Sequence, residues 1–282
     1  MGGGSLLYRK RVTWILLMAV LCLVLYTVVR SRAENKTDVI LGGVDGGIIS
    51  SDSVSFTALN ATPTPEPTED IWPDIDITLT QYSLIYSGNL LSSSYQPDVS
   101  EIPGTDYHMM FDSAALPHLQ EMLDDLRNEG FGVYVGSAYR SYSYQKQLFD
   151  GKAYNIALEM GIKGDEIWLL PEYQDAVARA KTITMEPGSS EHQLGLAVDL
   201  FDRRYQSPLV YENMNQKFYT YLDSICAKYG FIKRYPTRKL LLTGWDEPWH
   251  YRYVGVEAAT FIMEQGICYE EFYKHYVPDF QY

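Results

Sequence analysis

Residues 189–200, SSEHQLGLAVDL, place a histidine seven positions before an aspartate, with an alternating apolar run between them. If residues 195–201 form a strand, successive side chains point to opposite faces of a sheet. One face carries Leu196, Val198 and Leu200, and the other carries Gly195, Ala197 and Asp199. The aliphatic face is expected to pack on a core. Small side chains beside a carboxylate would let a metal ion or a substrate approach the sheet closely.

His192 precedes this strand in a loop that Pro187, Gly188 and two serines mark as a tight turn. A neutral imidazole and a carboxylate are good zinc ligands, but a catalytic zinc usually takes three protein ligands and leaves a fourth position to water. The stretch therefore needs a third ligand from elsewhere. Taken alone, it also fits a surface histidine followed by a hydrogen-bonded aspartate.

A second segment, residues 246–254 (DEPWHYRYV), supplies a further histidine. Pro248 disfavours a helix, and the alternation of aromatic residues with His250 and Arg252 indicates a strand entered through a turn. Glu247 then lies at the entry to the strand, where a carboxylate can act as general base beside a zinc ligand. An aromatic core strand with a structural glutamate is the alternative. Together the two segments offer three ligands and a base, the set that zinc hydrolysis requires.

The rest of residues 76–282 predicts an α+β fold. Apolar residues at helical spacing indicate a helix within residues 113–130, and residues 131–138 are typical of a strand. Residues 141–161 predict a second helix capped by Ser141. Further helices are expected near 171–180, 213–229 and 256–266, with a short strand at 231–236. This irregular alternation favours a single compact domain of about 200 residues, with a mainly antiparallel sheet and helices packed on it.

The first 75 residues have a different character. Residues 12–29 (VTWILLMAVLCLVLYTVV) are uncharged and long enough to span a bilayer, which predicts a transmembrane anchor after a short cytoplasmic N-terminus, residues 1–11. A cleaved signal peptide is the alternative, disfavoured because the apolar segment is long and no Ala-x-Ala site follows. Basic residues flank both ends, so charge alone does not fix the orientation. Residues 30–75, rich in Thr, Pro, Gly and Ser, predict a disordered extracytoplasmic linker.

Composition narrows the classes of function. The 282 residues are 46% hydrophobic, enough to build a core, and the net charge of −13 argues against a nucleic-acid partner, whose phosphates would be repelled. Only three cysteines occur, and Cys22 lies in the apolar segment, so neither a disulfide framework nor a thiolate zinc cluster is expected. Cys226 is expected as a buried free thiol in a helix, although pairing with Cys268 stays open.

Three blocks, in order, resemble the VanY-type D-alanyl-D-alanine carboxypeptidases and their L,D-carboxypeptidase relatives of the DacB type. They are residues 137–149 (SAYRSYSYQKQLF), residues 189–200 and residues 247–254 (EPWHYRYV). The family pattern Ser-x-His-x-x-Gly-x-Ala-x-Asp is complete from Ser190 to Asp199, and Glu-x-x-His is present at Glu247 and His250. The resemblance spans at least residues 137–254 and leaves the predicted anchor and linker outside.

The resemblance implies one zinc ion per domain, held by His192, Asp199 and His250. Glu247 would take a proton from the zinc-bound water and pass it to the leaving amine. Arg140, Gln145 and Ser190 would contact the substrate. Arg140 would also be catalytic, because its guanidinium can face the scissile carbonyl oxygen or the terminal carboxylate of a peptide.

The sequence thus predicts a membrane-anchored zinc D,D-carboxypeptidase that removes the C-terminal D-alanine from peptidoglycan stem peptides or wall precursors, outside a bacterial cell of Gram-positive type. An L,D-carboxypeptidase acting on tetrapeptide stems and an endopeptidase are alternatives within the same chemistry. A non-catalytic cell-wall-binding module stabilised by zinc belongs to a different class. Glu247 speaks against that module, since a purely structural zinc site has no use for a base. No obligate protein partner is expected.

Overall fold

The computed structural model of the chain describes residues 72–203 and 215–281. The predicted cytoplasmic N-terminus, the anchor at residues 12–29 and nearly all of the predicted linker lie outside the described residues. Within the described part of the chain, no helix is both long and apolar enough to cross a membrane.

In the part of the chain that the structure describes, six short strands form two antiparallel sheets. Strands β1 (Val99–Glu101) and β2 (Met110–Asp112) pair with each other. Strands β3 (Val133–Ser137), β4 (Ala197–Asp202), β5 (Phe231–Lys233) and β6 (His250–Tyr253) form a sheet in the order β3-β4-β6-β5. Every pairing in this sheet is antiparallel, which confirms the predicted α+β class with its antiparallel sheet.

Seven α-helices occur in the described residues. They are α1 (Leu116–Asn128), α2 (Tyr142–Glu159), α3 (Tyr173–Lys181), α4 (Gln216–Ile225), α5 (Leu240–Thr243), α6 (Val256–Gln265) and α7 (Tyr269–Tyr276). Helix α1 buries its predicted apolar stripe in the same core as the aliphatic face of β4. The Ser141 hydroxyl accepts a hydrogen bond from the Tyr144 amide at 3.2 Å, which confirms the predicted cap of α2.

Strand β4 is one of the two inner strands of the four-stranded sheet. It contains the end of the stretch 189–200 and is buried along its whole length. Leu196, Val198 and Leu200 lie in the main hydrophobic core, as their alternation predicts. The side chain of Asp199 points to the other face, and the register places Asp199 directly opposite His250 of β6. Two polar residues far apart in the sequence thus become neighbours through strand pairing.

Gly195 has a different role from the one expected. It ends a short 3₁₀ helix, Glu191–Leu194, with φ of 80°, and the strand starts only at Ala197. A Cβ atom at Gly195 would lie 3.1 Å from Cγ1 of Val99 and 3.4 Å from Cγ of Pro97. The glycine is therefore required by the left-handed turn and by packing against the β1 segment. It does not provide clearance for a metal or a substrate.

The folded domain begins before the predicted end of the linker. Trp72 stacks on His275 of α7 with ring centroids 3.8 Å apart, and it also contacts Phe261 of α6. Ile75 packs against the hydrophobic core that contains Phe261. Because Trp72 and Ile75 pack against these helices, the folded domain includes Trp72.

Cys226 and Cys268 are both free and buried. Cys226 follows α4 in the 3₁₀ helix Cys226–Tyr229, and burial raises the pKa of its thiol to about 12. The prediction of a buried free thiol is confirmed, and no disulfide joins the two residues.

Candidate metal and active site

The three predicted ligands come together from three elements. His192 lies in the 3₁₀ helix Glu191–Leu194, Asp199 in the middle of β4, and His250 at the first position of β6. One ligand atom from each residue lies within 4.8 Å of the others. Nε2 of His192 and Nδ1 of His250 are 3.4 and 3.1 Å from the same oxygen, Oδ1 of Asp199. Two imidazoles and one carboxylate converging on one point form a donor set that fits zinc.

A backbone carbonyl orients His192. Its Nδ1 lies 2.8 Å from the carbonyl oxygen of Ala138 and donates a hydrogen to it, which leaves the lone pair of Nε2 free for a metal. The Arg140 amide donates to the carbonyl of His192 at 3.1 Å, so the histidine is tied to the β3–α2 connection twice. Burial, reinforced by the nearby Arg140 guanidinium, lowers the pKa of His192 to about 4. The imidazole is thus neutral near pH 7, as a metal ligand must be.

His250 sits between two carboxylates. Nδ1 faces Asp199, and Nε2 lies 3.4 Å from Oε2 of Glu191 on the buried side. Burial by itself would lower the pKa of His250, but its hydrogen bonds to Asp199 and Glu191 raise it to about 9. Burial would also raise the pKa of Asp199, yet the two histidines hold that pKa well below its usual range. The aspartate is therefore ionised, and a metal binding here would displace a proton from His250.

Glu247 lies at the entry to β6, as predicted. Its backbone carbonyl accepts a hydrogen bond from the His250 amide at 3.0 Å, which forms the turn through Pro248. One carboxylate oxygen is 3.8 Å from Nδ1 of His250, and the side chain keeps 27% of its surface exposed. Burial raises the pKa of Glu247, although His250 opposes the effect. A carboxylate with a raised pKa beside the metal position has the properties of a general base.

Arg140 is held between strand β3 and helix α2 by three side chains. Its Nη2 donates to Oδ2 of Asp199 at 3.2 Å, Nε to the Ser137 hydroxyl at 2.8 Å, and Nη1 to Oε1 of Gln145 at 3.4 Å. The guanidinium plane is thus fixed beside the metal ligands. Gln145 is fully buried, and its amide nitrogen donates to the Met185 carbonyl at 2.7 Å. Both polar ends of Gln145 have protein partners, and its predicted contact with the substrate stays a prediction.

A cleft of about 380 Å³ contains all of the predicted site residues. Ser190 is one of its lining residues and is buried, and its predicted contact with the substrate likewise stays a prediction. Aromatic side chains form much of the wall: Tyr134, Phe201, Tyr235, Trp245 and Trp249. Phe201 follows Asp199 by two positions on the same face of β4, and Trp249 directly precedes His250. Tyr134, Tyr235 and Trp245 reach the cleft from separate segments and have no local signal.

The sequence reasoning missed a buried ion cluster behind His250, formed by Glu191, Arg234, Arg252 and Glu270. Oε1 of Glu191 lies 2.8 Å from Nε of Arg234 and 3.0 Å from Nη1 of Arg252. Arg234 also binds both carboxylate oxygens of Glu270, at 2.7 and 3.1 Å. Burial would raise the pKa of Glu191, but the two arginines hold it well below its usual range. For two of these four residues the sequence offered a signal of closeness to the site. Glu191 adjoins His192, and Arg252 shares a strand face with His250.

Comparisons with known proteins show the family to which the chain belongs. The family model described as VanY, D-alanyl-D-alanine carboxypeptidase, matches residues 108–256. A D-alanyl-D-alanine carboxypeptidase of Enterococcus faecalis is 36% identical over 192 residues, which are 67% of this chain and 64% of that protein. The chain thus spans slightly less than two thirds of the length of this relative.

Two solved structures are similar over most of the described domain. One is a mutant of the vancomycin resistance D,D-pentapeptidase VanY from a VanB-type resistance cassette, in complex with Zn(II). It is 34% identical, with a TM-score of 0.56, and the match covers 69% of this chain and 99% of that one. The other is the LdcB LD-carboxypeptidase, 29% identical with a TM-score of 0.57, covering 69% of this chain and 86% of that one. The chain belongs to the VanY family of D-alanyl-D-alanine carboxypeptidases, and the residues of its metal site fit zinc.

Proposed function

We propose that this protein is a zinc-dependent D,D-carboxypeptidase that removes the C-terminal D-alanine from peptidoglycan stem peptides ending in D-Ala-D-Ala. The observation that carries the proposal is the convergence of the three ligands, Glu247 and Arg140 in one cleft. The D-alanyl-D-alanine carboxypeptidase of Enterococcus faecalis and the VanY D,D-pentapeptidase support the substrate class.

The residues divide the chemistry between them. Zinc held by His192, Asp199 and His250 would make water acidic and polarise the scissile carbonyl group. Glu247 takes a proton from the attacking water and delivers it to the nitrogen of the leaving D-alanine as the peptide C–N bond breaks. The products are free D-alanine and a peptide shortened by one residue. The raised pKa of Glu247 suits a group that must first accept this proton and then donate it.

Arg140 supplies the positive charge in the cleft. Three protein partners fix the plane of its guanidinium without using all five of its N–H donors. The remaining donors suit either the oxygen that gains negative charge during attack or the terminal carboxylate of the substrate. Recognition of a terminal carboxylate would make the protein an exopeptidase, because a longer chain has no negative group at that place.

An L,D-carboxypeptidase acting on tetrapeptide stems is the second candidate, and the likeness to LdcB supports it. Both reactions release D-alanine and use the same ligands and base, so the shape of the cleft beside the scissile bond decides between them. A non-catalytic wall-binding module is less well supported. Glu247 keeps part of its surface exposed in the cleft, 3.8 Å from a ligand nitrogen, where a structural zinc site needs no base.

We also propose that residues 12–29 anchor the protein in the cell membrane with the catalytic domain outside, where wall peptides are found. The length and apolarity of this segment support a membrane anchor. The relative from Enterococcus faecalis supports a bacterium of Gram-positive type. Protease treatment of intact protoplasts should remove the domain and leave the anchor. Protection of the domain in intact protoplasts would contradict this orientation.

The decisive experiment incubates the purified full-length protein with synthetic pentapeptide and tetrapeptide stems and follows the masses of the products. We expect the pentapeptide to lose one D-alanine and the tetrapeptide to stay intact. Loss from the tetrapeptide alone would favour the L,D-carboxypeptidase. A zinc-loaded protein that cleaves neither peptide would refute the enzyme and favour the binding module.

Glu247→Gln tests the mechanism within this assay. The variant keeps the size of the side chain but cannot accept a proton, so we expect bound zinc and a kcat reduced about 10²–10⁴-fold. Zinc content is measured on the same sample. Turnover close to that of the wild type in the metal-loaded variant would show that Glu247 is not the base.

A further inference from the structure

The carboxylate of Glu191 divides its two oxygens between different partners. Oε1 contacts both arginines of the ion cluster, and Oε2 lies 3.4 Å from Nε2 of His250. The Glu191 side chain is 1% exposed and that of His250 is 4% exposed, so both are almost completely removed from solvent. His250 directs its other nitrogen, Nδ1, toward Asp199 at the metal position.

The two arginines prevent the Glu191 carboxylate from turning away. Arg252 lies two residues after His250 on the same strand, and its Nη2 donates to the carbonyl oxygens of Gln81 and Ser83 at 3.1 Å each. Arg234 is clamped by both oxygens of Glu270, and its guanidinium lies 4.6 Å from the ring centre of Tyr235. These contacts hold the Glu191 carboxylate in a single orientation.

We propose that Glu191 is a positioning residue for the metal site. By accepting a hydrogen bond from Nε2, it keeps the hydrogen of His250 on that nitrogen and turns the lone pair of Nδ1 toward the metal position. The inference rests on the proposed zinc site and adds a residue to its machinery.

Charge balance in the ion cluster does not explain the contact between Glu191 and His250. Two arginines need two carboxylates, and Glu191 and Glu270 meet that need whichever way Oε2 of Glu191 points. His192, the other histidine, is oriented by the neutral carbonyl of Ala138. A charged acceptor also makes the imidazole a stronger electron donor to a metal. The ion cluster therefore acts on one of the two histidine ligands, His250.

Glu191→Gln and Glu270→Gln form a matched pair of variants. Each removes one buried negative charge from the same cluster and from the same arginine, Arg234, but only Glu191 touches His250. The measurement is the zinc affinity of the full-length protein, by competition with a chelator of known affinity. Thermal melts with excess chelator show how much each variant loses in stability.

We expect Glu191→Gln to bind zinc about 10–100-fold more weakly than the wild type, and Glu270→Gln to bind it as the wild type does. At saturating zinc, Glu191→Gln should have a lower kcat with KM unchanged. Equal zinc affinities in the two variants, whether both native or both weakened, would overturn the proposal, because a merely structural role affects both alike.

A measurement on the wild-type protein covers the case in which Glu191→Gln does not fold. In the zinc-loaded protein, ¹⁵N-resolved spectra of the histidine rings should show a slowly exchanging Nε2–H of His250 and zinc coordination through Nδ1. Coordination through Nε2, or a rapidly exchanging Nε2–H, would overturn the proposal. A wild type that binds no zinc would instead refute the proposed function.

Discussion

Arg234→Met would remove the cation that two buried carboxylates share, while keeping an unbranched side chain of similar length. Arg234 is 3% exposed, and its partners Glu191 and Glu270 are 1% and 10% exposed. Removing one partner of a buried ion pair leaves uncompensated charge and costs about 3–5 kcal/mol. The exposures are low enough that solvent screening reduces this figure little.

The loss can be measured as a change in melting temperature. For a domain of 150–250 residues, 1 kcal/mol corresponds to about 2–4 °C, so Arg234→Met should melt about 6–20 °C below the wild type. Circular dichroism melts at neutral pH with excess chelator exclude differences in bound zinc. The full-length chain is used for every variant.

Lys146→Met is the matched control. Lys146 pairs with Asp150 one turn along helix α2, and both side chains are more than half exposed. Such a pair contributes about 0.3–0.5 kcal/mol, so the variant should melt within about 2 °C of the wild type. If Arg234→Met melts as close to the wild type as Lys146→Met does, the cluster does not stabilise the domain and the reasoning fails.

Three further predictions concern the site and its framework. Alanine at any one metal ligand, His192, Asp199 or His250, should release zinc from the purified protein, and stoichiometric zinc by elemental analysis in all three variants would contradict the ligand set. Arg140→Lys keeps the charge but loses the planar fork, so kcat/KM on the pentapeptide should fall about 10²–10³-fold; a value near that of the wild type would exclude a catalytic role. Gly195→Ala should lower the free energy of unfolding by about 1–2 kcal/mol from its positive φ alone, and further through the contact with Val99. Gly130 has a φ of 92° and open space around it, so Gly130→Ala measures the backbone effect alone. If the two variants lose equal free energy of unfolding in denaturant titrations, packing at Gly195 has no role.

The sequence was most informative where the chemistry is local. The alternation in residues 195–201 separates a core face from Asp199, and the turn at Pro248 places Glu247 one turn before His250. These features depend on side-chain periodicity and on proline geometry, which act over a few residues. The α+β class and the cap at Ser141 follow from similarly local patterns.

What could not be predicted depends on contacts between distant segments. Arg234 and Glu270 belong to the strand β5 region and to helix α7, and nothing near either residue indicates a buried ion pair. The role of Gly195 was misjudged because the strand that it packs against, β1, has three residues, too few to show alternation. Helix α7 was not predicted, although four of its eight residues are aromatic and recur at helical spacing: Tyr269, Phe272, Tyr273 and Tyr276.

The placement of the ligands in the sheet has a consequence for the kinetics of metal exchange. Asp199 and His250 lie in the two inner strands, β4 and β6, and separating them would break the ladder that joins these strands. Such ladders open only at a free energy near that of global unfolding. His192 lies outside the sheet, but the buried 3₁₀ helix that carries it is held by the contacts of Glu191 with Arg234 and Arg252. No ligand can therefore leave the metal position without breaking buried contacts, and we expect zinc to exchange from the folded protein slowly.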